Sequence, residues 1–127
     1  MTDTAIPVGD ARLVPLGDIA GKPIFDRSGD KLGVIKEVYV DKVTGQIEFV
    51  LGASGGFLGV AEKFHPLPWS SMSFNHAPEG YVASFTKQQL KDAPAYDREQ
   101  LSGSHYGWSE QVRRYFSNLA HPVGSSL

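Results

Sequence analysis

The chain has 127 residues, 41% of them hydrophobic and 20% charged, which suits one folded domain and does not resemble a disordered chain. A formal net charge of -2 argues against a broad electrostatic surface for nucleic acid or anionic lipid. The absence of cysteine excludes disulfides, thiol catalysis and thiolate metal sites, while 14 glycines and eight prolines indicate the frequent turns of a sheet-rich protein.

Residues 1–15 show no sustained hydrophobic period, so we expect a loose N-terminal arm. The arm lacks the basic and apolar segments of a signal peptide. The most apolar window, Phe49–Ala61, has only 13 residues, fewer than the ~20 that a membrane-spanning helix needs. We therefore expect a soluble, cytoplasmic protein that does not insert into a membrane.

Two predicted hairpins follow the arm and indicate an antiparallel meander. Pro23–Asp26 and Leu32–Asp41 are predicted strands on either side of a turn that contains Gly29. A second turn, which contains Gly45, leads to a strand at Gln46–Leu51, where apolar and polar residues alternate.

The long strand Leu32–Asp41 has apolar residues on both faces, with Ile35 and Tyr39 opposite its leucine and valines. One face can line a barrel interior, whereas the other needs a helix, a loop or another subunit to cover it. Ile35 and Tyr39 are therefore candidates for an interaction surface.

A glycine-rich segment at Ser54–Lys63 and a strand with two prolines at Phe64–Trp69 come next. The glycine-rich segment has neither a dinucleotide-binding nor a phosphate-loop pattern. We interpret it as a barrel corner, where Phe57 and Leu58 plug one end of the barrel. These two residues and Lys63 form a second candidate surface.

Another strand is predicted at Tyr81–Phe85, followed by a short helix. Thr86 and Gln89 have the spacing of a capping box at the start of this helix, and Pro94 ends it.

A second helix, capped by Ser109, is predicted at about 109–119, with one apolar stripe. A helix of this length is marginal alone in water, so it must dock on its own barrel or on a second subunit. Its apolar residues are a third candidate surface. They are Trp108, Val112, Tyr115, Phe116 and Leu119.

No catalytic, cofactor-binding or metal-binding residue is predicted. The four histidines are spread without a metal-binding pair, and we interpret His65, the only one on a predicted strand, as a partly buried, hydrogen-bonded side chain. The serines lack a nucleophile-elbow pattern, and the aspartates at turns are typical of side chains that bond the backbone. We therefore expect neither enzymatic activity nor a cofactor.

The order of these segments resembles the PRC-barrel family, including its free-standing bacterial members. The segments similar to the family pattern are Ile24–Asp26, Leu32–Ile35, Val38–Asp41, Phe57–Val60, Leu67–Trp69 and Leu90–Tyr96. The resemblance implies a mainly β protein, with a small antiparallel PRC-type β-barrel over residues 16–96 and short C-terminal helices. Residues 97–127 would form a C-terminal extension with the amphipathic helix.

The resemblance also implies a binding role, with no catalytic residues to transfer. The family includes the cytoplasmic domain of the photosynthetic reaction-centre H subunit and a domain of a ribosome-maturation factor, and both hold protein partners. No transmembrane helix or translation-factor-like domain precedes the barrel here, so we expect neither of those specific roles.

The leading hypothesis is a non-catalytic protein-interaction and assembly module that forms a homodimer or a higher homo-oligomer. The alternative, by family analogy, is an RNA- or ribosome-associated factor that uses Lys63, Arg113 and Arg114, although the overall charge disfavours nucleic acid. A less favoured possibility is a small-ligand carrier or an enzyme, with the barrel mouth near Phe57 and His65 as its site.

Overall fold

The computed structural model describes residues 12–54 and 63–120. In this part of the chain six strands precede three helices, as the sequence indicated for a mainly β domain with C-terminal helices. The strands are β1 (Pro23–Phe25), β2 (Lys31–Val40), β3 (Ile47–Ala53), β4 (His65–Pro68), β5 (Met72–His76) and β6 (Glu79–Ala83). The helices are α1 (Lys87–Asp92), α2 (Arg98–Ser102) and α3 (Trp108–Ala120).

The six strands form one curled, half-barrel sheet in the order β4-β3-β2-β1-β6-β5. The predicted meander β1-β2-β3 is confirmed, and it continues antiparallel into β4. β5 and β6 form a further antiparallel hairpin. The two antiparallel parts are joined by β1 and β6, which pair in parallel.

Two aspartates organise the first two turns, as predicted. Asp26 Oδ1 accepts hydrogen bonds from two backbone N–H groups of its turn, both at 2.9 Å. Asp41 Oδ1 accepts one from the Val43 N–H at 2.8 Å. Gly29 and Gly45 have φ values of +92° and +80°, a conformation that strains residues with a Cβ atom.

The second face of β2 is covered within the same chain. Ile35 is fully buried, and its carbonyl accepts a hydrogen bond from the Gly21 N–H at 2.7 Å. Tyr39 packs edge-on against Trp108 of α3, with ring centroids 5.4 Å apart. The β2–β3 register shifts twice, so the two predicted faces of this strand do not continue regularly to its end, where Val40 is partly exposed.

Helix α3 docks on its own barrel. Val112 is fully buried, Trp108 and Phe116 are nearly so, and the Phe116 ring lies 5.2 Å from that of Phe85. The helix begins at Trp108, one residue before the predicted cap. Of the two docking modes left open by the sequence, the structure has the intramolecular one.

His65 begins β4, where its half-buried ring donates a hydrogen bond from Nδ1 to the Pro94 carbonyl, 3.1 Å away. Burial lowers the pKa of His65 from its ordinary value of 6.5, and this hydrogen bond offsets only part of the effect. The unfolded chain therefore binds the His65 proton more readily than the folded chain. The contribution of His65 to the free energy of unfolding is complete above its pKa in the unfolded chain. This contribution is lost as the pH falls from there towards the lower pKa of the folded chain.

We expect the free energy of unfolding to fall as the pH is lowered from about 7 to about 5, as measured by urea unfolding. His65→Gln removes the titrating group and should flatten this fall. His76→Gln, at an exposed position on β5, is the matched control and should preserve it. Equal pH slopes for the wild type and His65→Gln would contradict the assignment.

Candidate interaction groove

A shallow, open groove of about 750 Å³ lies between the β2–β3 hairpin and the start of α3. Tyr39 and Phe49 enter it from neighbouring strands, and Trp108 enters it from the first turn of α3. Val40 and Tyr106 add partly exposed apolar surface at its sides. Three separate elements thus converge on one aromatic depression.

The aromatic rings of the groove pack edge to face. Trp108 meets Tyr39 and Phe49 with ring centroids 5.4 Å and 5.3 Å apart, and its Nε1–H donates to the Leu101 carbonyl at 2.9 Å. Tyr106 lies 6.0 Å from Tyr39 and 6.1 Å from Trp108 and is 52% exposed. Edge-to-face contacts of this kind are favourable, so the floor is a rigid apolar surface.

The backbone beside the groove is strained. His105 and Tyr106 have φ values of 52° and 61°, in the left-handed region that costs a non-glycine residue about 1–2 kcal/mol. The Tyr106 N–H donates to the Gly103 carbonyl at 3.1 Å, which closes this turn between α2 and α3. The turn places Tyr106 over Trp108. Strained backbone of this kind is concentrated at functional sites in proteins.

We expect His105→Gly to raise the free energy of unfolding by about 0.5–1 kcal/mol, because glycine adopts a positive φ without steric strain. His105→Ala is the matched control, since alanine removes the same exposed imidazole but keeps the strain. Urea unfolding of the three proteins measures the difference. An alanine variant as stable as the glycine variant would show that the backbone at this position is not strained.

Three of the charged side chains around the groove are engaged within the chain. Arg113 forms an ion pair with Glu48 at 3.0 Å, and its guanidinium lies 4.6 Å from the centre of the Phe49 ring. The Asp41 carboxylate is held by the turn that it caps. The groove therefore presents apolar surface flanked by the ion pair of Arg113 and Glu48.

The Tyr39 hydroxyl lies 3.3 Å from Glu37 Oε1, to which it donates a hydrogen bond. Burial and the neighbouring Glu37 carboxylate raise the pKa of Tyr39 to about 12. The phenol therefore stays protonated at neutral pH and is suited to hydrogen bonding.

The structure divides the predicted interaction residues into groups with different surroundings. Ile35, Val112 and Phe116 are buried core residues and not the surface residues that the sequence predicted, because the chain covers its own barrel. Trp108 is also buried, with only 7% exposure, but it contributes to the groove floor together with half-buried Tyr39.

The remaining predicted residues are not gathered at the groove. Tyr115 and Leu119 are half-buried at the margin of the core, and the Tyr115 hydroxyl donates to the Gln89 carbonyl at 2.6 Å. Lys63 is exposed. Phe57 and Leu58, and with them most of the predicted barrel corner, lie outside the described residues.

The sequence reading missed several groove residues. Tyr106 and His105 were not singled out, because neither is a glycine, the residue type expected at a positive φ. Val40 was placed on one face with the other valines of its strand, and Val43, 87% exposed in the adjacent turn, was assigned only to that turn. The available signal was the pair of aromatic residues Tyr106 and Trp108 just before the predicted helix.

Within residues 12–54 and 63–120, no group of three or more histidine, aspartate or glutamate side chains is placed to hold a metal ion. Near His65, the described part of the barrel interior leaves a space of only about 10 Å³, on the scale of one water molecule. The described helices include none that is long and apolar enough to cross a bilayer.

Comparison with known proteins agrees with this architecture. An uncharacterized protein of Deinococcus radiodurans is 29% identical over 84 residues, which are 66% of this chain and 30% of the relative. The chain thus spans less than a third of that relative's length. The family model of the PRC-barrel domain matches residues 13–88, more than half of the 127 residues. Together with the curled six-stranded sheet, this match shows that the chain belongs to the PRC-barrel family.

Proposed function

We propose that this PRC-barrel chain is a non-catalytic protein-interaction module that assembles with copies of itself. The observation that carries the proposal is the apolar surface that remains exposed after α3 has docked. The exposed large hydrophobic residues of the described part are Leu13, Val14, Leu16, Val40, Val43, Phe74 and Tyr106. Scattered exposed side chains are normal, but Val40 and Tyr106 share one aromatic groove, with Val43 in the adjoining turn.

The shape of the groove supports a protein partner rather than a small molecule. Small-molecule sites enclose most of their ligand and place a few polar groups around it. This groove is open and shallow, its floor is aromatic, and Glu48 and Arg113 at its rim neutralise each other. Such a surface suits apolar side chains carried by another protein.

The chemistry of the described side chains and the family membership both favour a non-catalytic role. In the described part no buried polar side-chain atom lacks a hydrogen-bond partner. The family match and the Deinococcus radiodurans relative give no sign of catalysis.

A net charge of only -2 leaves little long-range repulsion between copies of the chain, which favours self-association.

Sedimentation of the purified protein tests self-association. We expect the weight-average mass to rise with concentration between about 1 μM and about 1 mM, the range of weak association. A mass that stays at that of one chain at the highest concentration would remove self-association from the proposal.

The RNA-associated alternative has less support from the side chains. Arg113, one of its three basic residues, is committed to Glu48 and to the Phe49 ring, which leaves Lys63 and Arg114. Retention of the protein on RNA that weakens steeply with added salt would favour this alternative over the proposed role.

A further inference from the structure

We propose that two copies of this chain pair through the free edge of β5, to form one continuous sheet across a two-fold axis at Phe74. This inference rests on the proposed self-association and assigns it to this sheet edge and not to the groove. β5 is the last strand of the sheet, and its only strand neighbour in the described part is β6. An edge strand presents unpaired N–H and C=O groups that can bind another strand.

The two edges of the sheet differ in how they are protected. At the β4 edge, Pro66 and Pro68 have no N–H to offer, and the preceding residue Phe64 forms a bridge with Tyr96 through hydrogen bonds of 2.8 Å and 2.9 Å. β5 contains no proline and no Lys, Arg, Asp or Glu, the residues with which proteins commonly block an edge. The unprotected edge is therefore the one at β5.

The hydrogen-bond register shows which groups of β5 are free to pair. The Ser84 N–H donates to the Ser71 carbonyl at 2.9 Å, immediately before the aligned pair Met72 and Ala83. Main-chain bonding alternates along an antiparallel pair, so residues 73 and 75 bond β6. The N–H and C=O groups of residues 74 and 76 and the C=O of residue 72 consequently point away from β6 and are available, whereas the Met72 N–H donates to the Trp69 carbonyl.

These outward groups are self-complementary when a second β5 runs antiparallel. With the two-fold axis at residue 74, Phe74 faces its own copy, and Met72 faces His76 of the second copy. Because the Met72 N–H of each copy already bonds its own Trp69 carbonyl, the three pairs of facing residues exchange about four main-chain hydrogen bonds. β5 contains no Lys, Arg, Asp or Glu, so no like charges of these residues face each other across the axis. Glu79, at the start of β6, is paired with Lys22 at 3.2 Å.

Phe74 supplies the apolar contact at the axis. Its side chain is 50% exposed, and its ring is held 5.6 Å from that of Tyr81 and 5.0 Å from that of His76. The axis is perpendicular to the sheet, so both Phe74 rings lie on the same face, opposite each other. Pairing covers exposed surface that no described element of the chain covers.

The test uses Phe74→Lys, which places two like charges opposite each other at the axis. In sedimentation experiments we expect the dissociation constant to rise by on the order of tenfold or more. Leu16→Lys is the matched control, because it introduces the same charge at an apolar residue of similar exposure that belongs neither to β5 nor to the groove, and it should change the constant by less than about twofold. Val43→Lys, in the turn beside the groove, tests the groove as the alternative interface.

A charge-pair experiment separates pairing from a loss of folding. Phe74→Lys and Phe74→Glu should each be monomeric, and an equimolar mixture should recover a heterodimer, because the two charges face each other only at a two-fold axis through residue 74. Recovery in the mixture supports the proposal even if both variants are less stable. Failure of the mixture to associate overturns it.

The outcomes distinguish this inference from the proposed function. If the wild type associates but Phe74→Lys associates equally well, the β5 interface is wrong and self-association stands. If Val43→Lys is the variant that weakens association, the groove is the interface, and the β5 inference is likewise overturned. If the wild type is monomeric throughout, both proposals fail.

Discussion

Replacing Trp108 with alanine should lower the free energy of unfolding by about 3–5 kcal/mol, the range for truncating a buried aromatic residue. Trp108 is 7% exposed and contacts the rings of Tyr39, Phe49 and Tyr96. Its indole N–H also bonds the Leu101 carbonyl. One side chain therefore ties α3 to β2, to β3 and to α2, and its removal leaves a cavity where these elements meet.

Urea unfolding measures this loss, and Tyr106→Ala is the matched control. Tyr106 belongs to the same aromatic cluster but is half exposed, so its truncation should cost only about 1 kcal/mol. Equal, small losses for both variants would show that α3 is not anchored on the barrel through Trp108. That result would reopen the possibility that its apolar stripe serves another subunit.

The turns and caps were predictable because their chemistry is local. Asp26 and Asp41 accept backbone hydrogen bonds within their own turns, and a glycine takes the positive φ that each turn requires. The capping box between Thr86 and Gln89 is likewise present, with the Gln89 N–H donating to Thr86 Oγ1 at 3.1 Å. A few neighbouring residues determine each of these features, so the sequence displays them directly.

Two elements were missed although a local signal existed. Asp97 and Gln100 form the same kind of capping box at the start of α2, where the Gln100 N–H donates to Asp97 Oδ1 at 2.8 Å. β5 places Phe74 between two polar residues, which is an alternating pattern, but the strand has only five residues and follows two prolines. Short patterns beside chain breakers are the weakest evidence for a strand.

Other features depend on contacts that no local pattern encodes. The parallel pairing of β1 with β6 joins residues far apart in the chain, and nothing in either strand indicates its neighbour. The apolar stripe of α3 was predictable, but the surface that it covers was not, because docking on its own barrel and on another subunit use the same residues. This ambiguity explains why core residues such as Val112 were predicted as interaction residues.

Because α3 docks on its own barrel, its apolar stripe is not available as an interaction surface. With the stripe buried, the uncovered apolar groups lie at the groove around Tyr106 and at the edge strand around Phe74. The two places differ in kind: the groove offers side-chain surface, whereas the edge offers main-chain hydrogen bonds. Val43→Lys changes the turn beside the groove, and Phe74→Lys changes the edge strand. The variant that weakens self-association therefore identifies the interface.

Gly33→Ala should destabilise the barrel by about 3 kcal/mol, at the upper end of the usual range for overpacking. A Cβ atom at Gly33 would lie less than 3.0 Å from the Ala53 carbonyl oxygen and 3.2 Å from Ser54 Cα. Both neighbours are backbone atoms, which cannot rotate away as a flexible side chain can. Relief of the clash therefore requires β2 and β3 to separate where Gly33 also pairs with Ile24 of β1.

Gly17→Ala is the matched control for this variant, since a Cβ atom there would meet nothing within 4 Å. It should change the free energy of unfolding by no more than about 0.5 kcal/mol, because it adds a methyl group in open space. Urea unfolding of both variants measures the difference. If Gly33→Ala were as mild as Gly17→Ala, the two strands would have room to separate, and their close approach at residue 33 would not be needed for stability.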